Sequence, residues 1–482
     1  MLDTFLIKTL RIIASDDLKI IQQFMGVNFF NGGPRKLKCI KLLTCLIHLK
    51  PSYDDAKRLH RSYVCRTTGI KDEGELTKVA AELLSVIRKS LLHIRYNRLP
   101  DTQHHLDMAR VFNEAQHTQF FEQSIEKAKQ ANHKQAYQDT DFNLIDWQLK
   151  EEVIIHNSRF VTLKNPISMS GVIDSLDRLY IHKNLLYESA LLARSAFSTN
   201  DNPSSNKRLN ALIALAEPYI ETDGLTRILV NFIKISTRPH IVPCVEFEAF
   251  IQESVQESGT IAPSTLAGLH SYLRSYASIA YNKGHSEYLS VLVKLFQHHI
   301  QSQSIYDTDQ KIHAITLQTA IMVALRAGQY QWADDILEQH RYRISGVNTE
   351  QVYAYNKANC LFYLRRYDQA LEQLPDNFHD AQTDINAKRL RIKIYHETGS
   401  PLLSYVLDTF GVNDIFRSQK RGKVPAVFIE VNSNFLKIMR SIVALPPRPA
   451  AADLADLNER IQEAQLLAER EWLQEILLTL QK

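Results

Sequence analysis

A helical period runs through almost the whole of this 482-residue chain, and no other feature limits its fold as strongly. Leu2, Phe5, Leu6, Thr9, Leu10 and Ile13 follow the i, i+3, i+4 spacing of one helix face, and predict a helix over 2–25. Asn28-Phe29-Phe30-Asn31-Gly32-Gly33-Pro34 interrupts it, and Pro34 suits the start of the next helix because no N–H is needed there. That helix stops before Pro51. Further helices are expected over 54–64, 75–94, 102–115, 117–131, 134–157 and 171–197. A last helix, 451–481, follows the breaker Pro446-Pro447-Arg448-Pro449. The chain has only 15 Gly and 15 Pro. Strand-rich folds spend these residues on frequent turns, so their scarcity points the same way, to an all-α protein.

A single hydrophobic core stops growing near about 250–300 residues, so a chain of this length divides. The pattern gives a basic helical lobe over 1–100 and degenerate helical pairs over 101–200. The polar loop from Asn200 to Asn206 marks a boundary. Shorter helices then alternate over 206–445, and 450–482 forms a C-terminal cap. The five cysteines are odd in number and irregular in spacing, which does not fit a disulfide framework. The first residues lack a basic region and a small-residue cleavage site, and no stretch of 18 apolar residues occurs. The expectation is a cytoplasmic protein without a membrane partner.

Three segments align with one another. They are 317–337, LQTAIMVALRAGQYQWADDIL; 354–374, AYNKANCLFYLRRYDQALEQL; and 388–408, KRLRIKIYHETGSPLLSYVLD. Gly328, Arg365 and Gly399 hold matching turn positions, followed by Tyr330, Tyr367 and Pro401 and then by Ala333, Ala370 and Ser404. Upstream, Ala277, Ala280, Gly284 and Leu289 make a fourth copy. Two helices of about 14 residues with their turns need about 34 residues. A small residue where helices meet allows close approach, and the aromatic before it fills the wedge between pairs. One pair cannot bury its own apolar face, so pairs must stack.

At Ala358, Leu361, Tyr367, Ala370 and Leu371 the segment 354–374 resembles a tetratricopeptide repeat, and 317–337 is similar. The likeness is clearest over 265–410. It implies a right-handed α-solenoid whose concave face, lined by the first helix of each pair, binds a protein or peptide. On that register the lining residues are Gln318, Met322, Arg326, Tyr355, Asn359, Phe362, Arg389 and Lys393, a mix of aromatic and basic groups suited to an extended or acidic segment. The alternative for Tyr355 and Phe362 is packing against neighbouring helices. Over its full length the chain also resembles a group of bacterial proteins of similar size without an assigned activity. The shared features are Phe29-Phe30-Asn31, Trp332-Ala333 and Glu469-Arg470-Glu471-Trp472-Leu473. That likeness implies architecture and carries no function.

Catalytic motifs are not found in the sequence. No phosphate-cradling glycine loop occurs, Gly284-His285-Ser286 does not continue as a nucleophile elbow, and His396-Glu397 lacks a second histidine. His298-His299 project about 100° apart on a helix and suit chelation poorly. No cofactor, metal or enzymatic activity is expected. Charge is uneven. Residues 1–100 hold 18 Lys and Arg against 9 Asp and Glu, whereas the whole chain is +4. Lys36, Lys38, Lys41, Lys57, Arg58 and Arg61 are therefore candidate contacts for a nucleic acid. Two functions follow: a non-catalytic interaction scaffold or, as the alternative, a nucleic-acid-binding regulator with the repeats as a sensing or dimerising part.

Overall fold

A computed structural model describes residues 4–50, 53, 57–137, 139–160, 168–195, 205–307, 309–409 and 424–481. Among the described residues the chain is all-helical, with 23 α-helices. Two two-residue strands, Ile312–His313 and Ile344–Ser345, pair in parallel. The chain divides into two compact units. One comprises Met1–Ala136 with Thr140–Leu179, the other Tyr137–Asp139 with Tyr180–Lys482. The expected boundary loop from Asn200 lies, up to Ser204, outside the described residues.

In chain order the first unit contains α1 (Phe5–Ile12), α2 (Ser15–Phe24), α3 (Lys36–His48), α4 (Arg61–Thr68), α5 (Glu73–Asn97), α6 (Asp101–Glu114), α7 (Thr118–His133) and α8 (Thr140–Asn157). The unit boundary falls within α9 (Ser170–Ser195). Leu42, Leu46, Val79, Leu83 and Ile87 centre the core of α1–α5. Leu106, Ala109, Phe121 and Ala128 centre that of α6–α8. The expected helix 2–25 is two helices. Ile13 and Ala14 are extended, Lys50 Nζ donates to the Ile13 carbonyl at 2.6 Å, and Asp16 and Asp17 occupy the first turn of α2. Acidic side chains favour a helix N-terminus, which starts a new helix where the apolar period alone would continue the old one. The helix expected over 54–64 begins instead at Arg61 and ends at Gly69, whose φ is +70°; residues 54–56 lie outside the description.

The second unit continues with α10 (Asn206–Ala216), α11 (Gly224–Ser236), α12 (Cys244–Gln256), α13 (Pro263–Asn282), α14 (Tyr288–Gln301), α15 (Ala314–Arg326) and α16 (Tyr330–His340). Then come α17 (Thr349–Tyr363), α18 (Tyr367–Gln373), α19 (Ala381–Glu397), α20 (Leu402–Thr409), α21 (Ala426–Val443), α22 (Ala451–Glu463) and α23 (Arg470–Leu480). Its apolar clusters succeed one another along the chain, each overlapping the next in sequence.

The aligned turns share one backbone form. Gly284, Gly328, Arg365 and Gly399 have φ of +99°, +73°, +60° and +63°. In each, the next residue donates its N–H five residues back: His285 to Ala280, Gln329 to Ala324, Arg366 to Leu361, Ser400 to Tyr395. This is the six-to-one closure of a Schellman turn, which satisfies carbonyls left open at a helix end. Ala333 and Ala370 are fully buried as the spacing requires, and the Tyr330 ring stacks on Tyr363 of the following pair. Ser404 is exposed, because α20 starts one residue later after Pro401 and turns Leu407 inward instead.

The single helix expected over 451–481 is also two. A straight helix of that length would run about 45 Å and carry its second apolar stripe away from the first. Here Leu454, Leu457 and Ile461 share a core with Leu473, Ile476 and Leu477. Arg470 donates to the carbonyls of Ile461, Gln462 and Ala464, which closes α22, and Glu469 takes φ +54° to begin α23.

Candidate functional site

Five of the eight expected concave-face residues come together, but around the chain's own Glu469. Tyr355, Asn359 and Phe362 lie on α17, with Arg389 and Lys393 on α19. Tyr355, Asn359, Phe362 and Lys393 are buried, so they do not line an open groove. The packing alternative for Tyr355 and Phe362 is what the structure shows. Lys393 Nζ lies 2.7 Å from Glu469 Oε2, and Arg389 Nε lies 3.1 Å from Oε1. Arg389 also donates to Asn432 Oδ1 on α21 at 2.6 Å, and Asn432 is oriented by its own donation to the Phe428 carbonyl. Phe362, Tyr363 and Trp472 wall the ammonium, with ring centroids 4.5, 5.4 and 5.3 Å from Nζ. Trp472 Nε1 donates to Glu397 at 2.7 Å.

The electrostatics follow from this geometry. Burial alone pushes the Glu469 carboxyl up, but Lys393, Arg389 and Arg326 outweigh it and hold the group down at about 2. Only 20% of the Glu469 side chain meets solvent, so both ion pairs are largely desolvated. Burial raises the Tyr355 and Tyr363 phenols, partly countered by Arg389 and Arg326 respectively. The centre is a largely buried carboxylate held by two cations, with an amide behind the arginine and three aromatic rings around the lysine.

The other three expected residues lie on α15. Gln318 and Met322 are half-buried and Arg326 is exposed. Arg326 forms no ion pair or hydrogen bond among the described residues. Its field still reaches Glu469 and Tyr363. Tyr330, stacked on Tyr363 with centroids 5.5 Å apart, forms the adjoining edge. The sequence reading noted Glu469 and Trp472 within the segment 469–473 but assigned neither of them, nor Asn432, to the site. The pairing of Glu469 depends on a turn inside a segment that reads as one helix.

The candidate nucleic-acid residues are mostly engaged. Lys36 donates to the Gly26 carbonyl at 2.7 Å and to Asn28 Oδ1 at 2.8 Å, Lys38 pairs with Glu75, and Arg61 lies 3.9 Å from Glu73. Lys41, Lys57 and Arg58 are exposed. A shallow depression beside Lys38 mixes Arg35, Lys71 and Lys78 with Asp72 and Glu75, and so presents no single sign of charge.

Three further clusters have the residue types of catalysis. Lys150 Nζ donates to Ser175 Oγ at 2.6 Å and to Asp146 Oδ2 at 2.7 Å, while Ser175 itself donates to Asp146 at 2.6 Å. The lysine and the serine both donate to the one carboxylate, Asp146. His182 is fully buried against Asp223, which caps α11 through Thr226. His270 and His299 stack with centroids 3.7 Å apart and planes 12° from parallel, which prevents one metal ion from lying in both ring planes. Among the described residues no group of three or more His, Cys, Asp or Glu is placed to hold a metal ion. The five cysteines are free thiols, and burial pushes Cys39 up to about 11 and Cys360 to about 12. No helix of the described residues is long and apolar enough to cross a membrane.

Fold and site thus define an all-helical protein built from closely turned helix pairs, in which a carboxylate of the C-terminal region is held by two buried cations. No protein-family model, curated protein or solved structure matches the chain.

Proposed function

We propose that this protein is a non-catalytic interaction scaffold, and that it takes an acidic segment of a protein partner along the rim formed by Gln318, Met322, Arg326 and Tyr330. The repeated Schellman turns and the tetratricopeptide likeness of 354–374 support a stacked, solenoid-like arrangement of the pairs. The observation that carries the reading is Arg326, an exposed guanidinium that forms no direct ion pair among the described residues and stands at the edge of the cationic, aromatic cluster around Glu469. The pairing of Glu469 with Arg389 and Lys393 supports an acidic segment as the ligand. A carboxylate enters between cations, with aromatic rings shielding it from water. The inner cluster is already filled, so a partner meets the outer half-buried residues and the exposed guanidinium.

The test is a tagged pull-down from native extract, with and without nuclease, comparing the unaltered chain with Arg326→Glu. A stoichiometric protein retained after nuclease and lost from Arg326→Glu supports the scaffold. Co-purifying nucleic acid that washes off with salt, unaffected by Arg326→Glu, moves the function to the basic N-terminal region.

A further inference from the structure

The outer face of α1 and the C-terminal half of α5 places large apolar side chains in solvent among uncompensated cations. Leu6, Ile7 and Leu10 turn into the core of the first unit. Phe5 and Ile12, two helical turns apart on the opposite side, are 64% and 84% exposed. On α5 the buried residues are Leu83, Val86, Ile87, Ser90 and Ile94, which leaves Leu92 pointing directly outward at 69% exposure. The Arg88 guanidinium lies 5.3 Å from the Phe5 ring centroid and joins the two helical faces.

Lys8, Arg88, Lys89 and Arg95 are exposed, and none forms an ion pair among the described residues. α1 contains no acidic residue, and none occurs between Glu82 and Asp101. Soluble surfaces ordinarily intersperse both signs of charge and keep large apolar side chains scattered. This face does neither.

We propose that the α1–α5 face docks on an anionic lipid surface. The cations meet the headgroups, and Phe5, Ile12 and Leu92 enter the boundary between headgroups and acyl chains. The aliphatic residues decide between lipid and nucleic acid. Phosphate contact uses cations, and base contact uses aromatic stacking or hydrogen bonds. Ile12 and Leu92 offer neither, and gain only by leaving water. The docking needs no spanning helix, and it departs from the sequence-based expectation of no membrane partner.

The test uses the full-length chain and sedimentation with sucrose-loaded vesicles at about 0.1 M salt, where charge is screened beyond about 10 Å. One set is phosphatidylcholine alone, the other phosphatidylcholine with phosphatidylserine at about 7:3. Binding is expected to the anionic vesicles only. Replacing Arg88, Lys89 and Arg95 together by Gln is expected to weaken it roughly 100-fold. Ile12→Ser with Leu92→Ser is expected to weaken it roughly tenfold or more, with an unchanged melting curve because both side chains are exposed. Three results overturn the proposal: no binding to either vesicle, anionic binding indifferent to Ile12→Ser with Leu92→Ser, or binding of a single-stranded RNA oligonucleotide in place of vesicles.

Discussion

Glu469 holds a left-handed backbone and a desolvated charge at the same time, and each costs free energy. A non-glycine residue near φ +54° is disfavoured by about 1–2 kcal/mol, so the surrounding contacts must over-determine it. Lys393 and Arg389 supply that constraint. His270 and His299 are the opposite case, buried imidazoles without a carboxylate partner. Burial, then His298 and Arg274, lowers His270 to about 3; burial, then His270, Arg274 and His298, lowers His299. Arg274 donates to His299 Nδ1 at 2.6 Å and His270 bonds Ser304 at 2.7 Å, so the stack is built for neutral rings. The unfolded chain takes up protons near pH 6.5, before the folded one does. Stability from this pair is therefore complete above that pH and is lost as pH falls toward about 3 for His270. At pH 5 the loss is about 2 kcal/mol per histidine. Urea midpoints at pH 7 and pH 5 check this: the gap between them should shrink in His270→Gln with His299→Gln, and an unchanged gap contradicts it.

At the scale of the element, the helix pairs were legible where a pattern of one residue type per position decides the structure. The turn glycines, the fully buried Ala333 and Ala370, and the stacking of Tyr330 all follow from a spacing visible in the chain. Long helices were misjudged in the same way at both ends. Residues 2–25 and 451–481 keep an apolar period across a break made by capping, through Lys50 at Ile13 and Arg470 at the end of α22. Periodicity reports which face is apolar and says little about where the axis changes direction. The shared turn form gives a paired prediction. Arg365 pays the left-handed penalty that its glycine counterparts avoid, so Arg365→Gly should stabilise the chain by about 0.5–1 kcal/mol. Gly399→Ala should destabilise it by about 1 kcal/mol, although a Cβ there meets nothing within 4 Å. Thermal melts of the two variants moving in the same direction would contradict the common turn.

At the scale of the whole molecule, the sequence was read as four segments, while the structure groups the chain into two compact units. The chain assigns 137–139 to the second unit and places the boundary at Tyr180, and neither is marked by composition. The candidate site shows the same limit. A register of helix pairs grouped Tyr355, Asn359 and Phe362 of one repeat with Arg389 and Lys393 of the next, on the first helices of two neighbouring pairs. It could not show that Glu469, some 80 residues beyond Arg389, closes over them. A groove read from repeats alone looks open; a charge from the far end of the chain fills it. The proposed partner contact is left to the exposed Arg326, which ties the functional proposal to that closure.

A double-mutant cycle between Lys393 and Glu469 tests the closure most directly, using Lys393→Met, Glu469→Gln and the double variant in urea denaturation. Each single change leaves a charge in a largely desolvated site and should cost about 3–5 kcal/mol, while the double variant should recover much of that loss. A coupling of about 2 kcal/mol or more is the predicted result. Additive single effects, with no coupling, would contradict a cluster closed by the chain's own carboxylate and would return Lys393 and Arg389 to the open face.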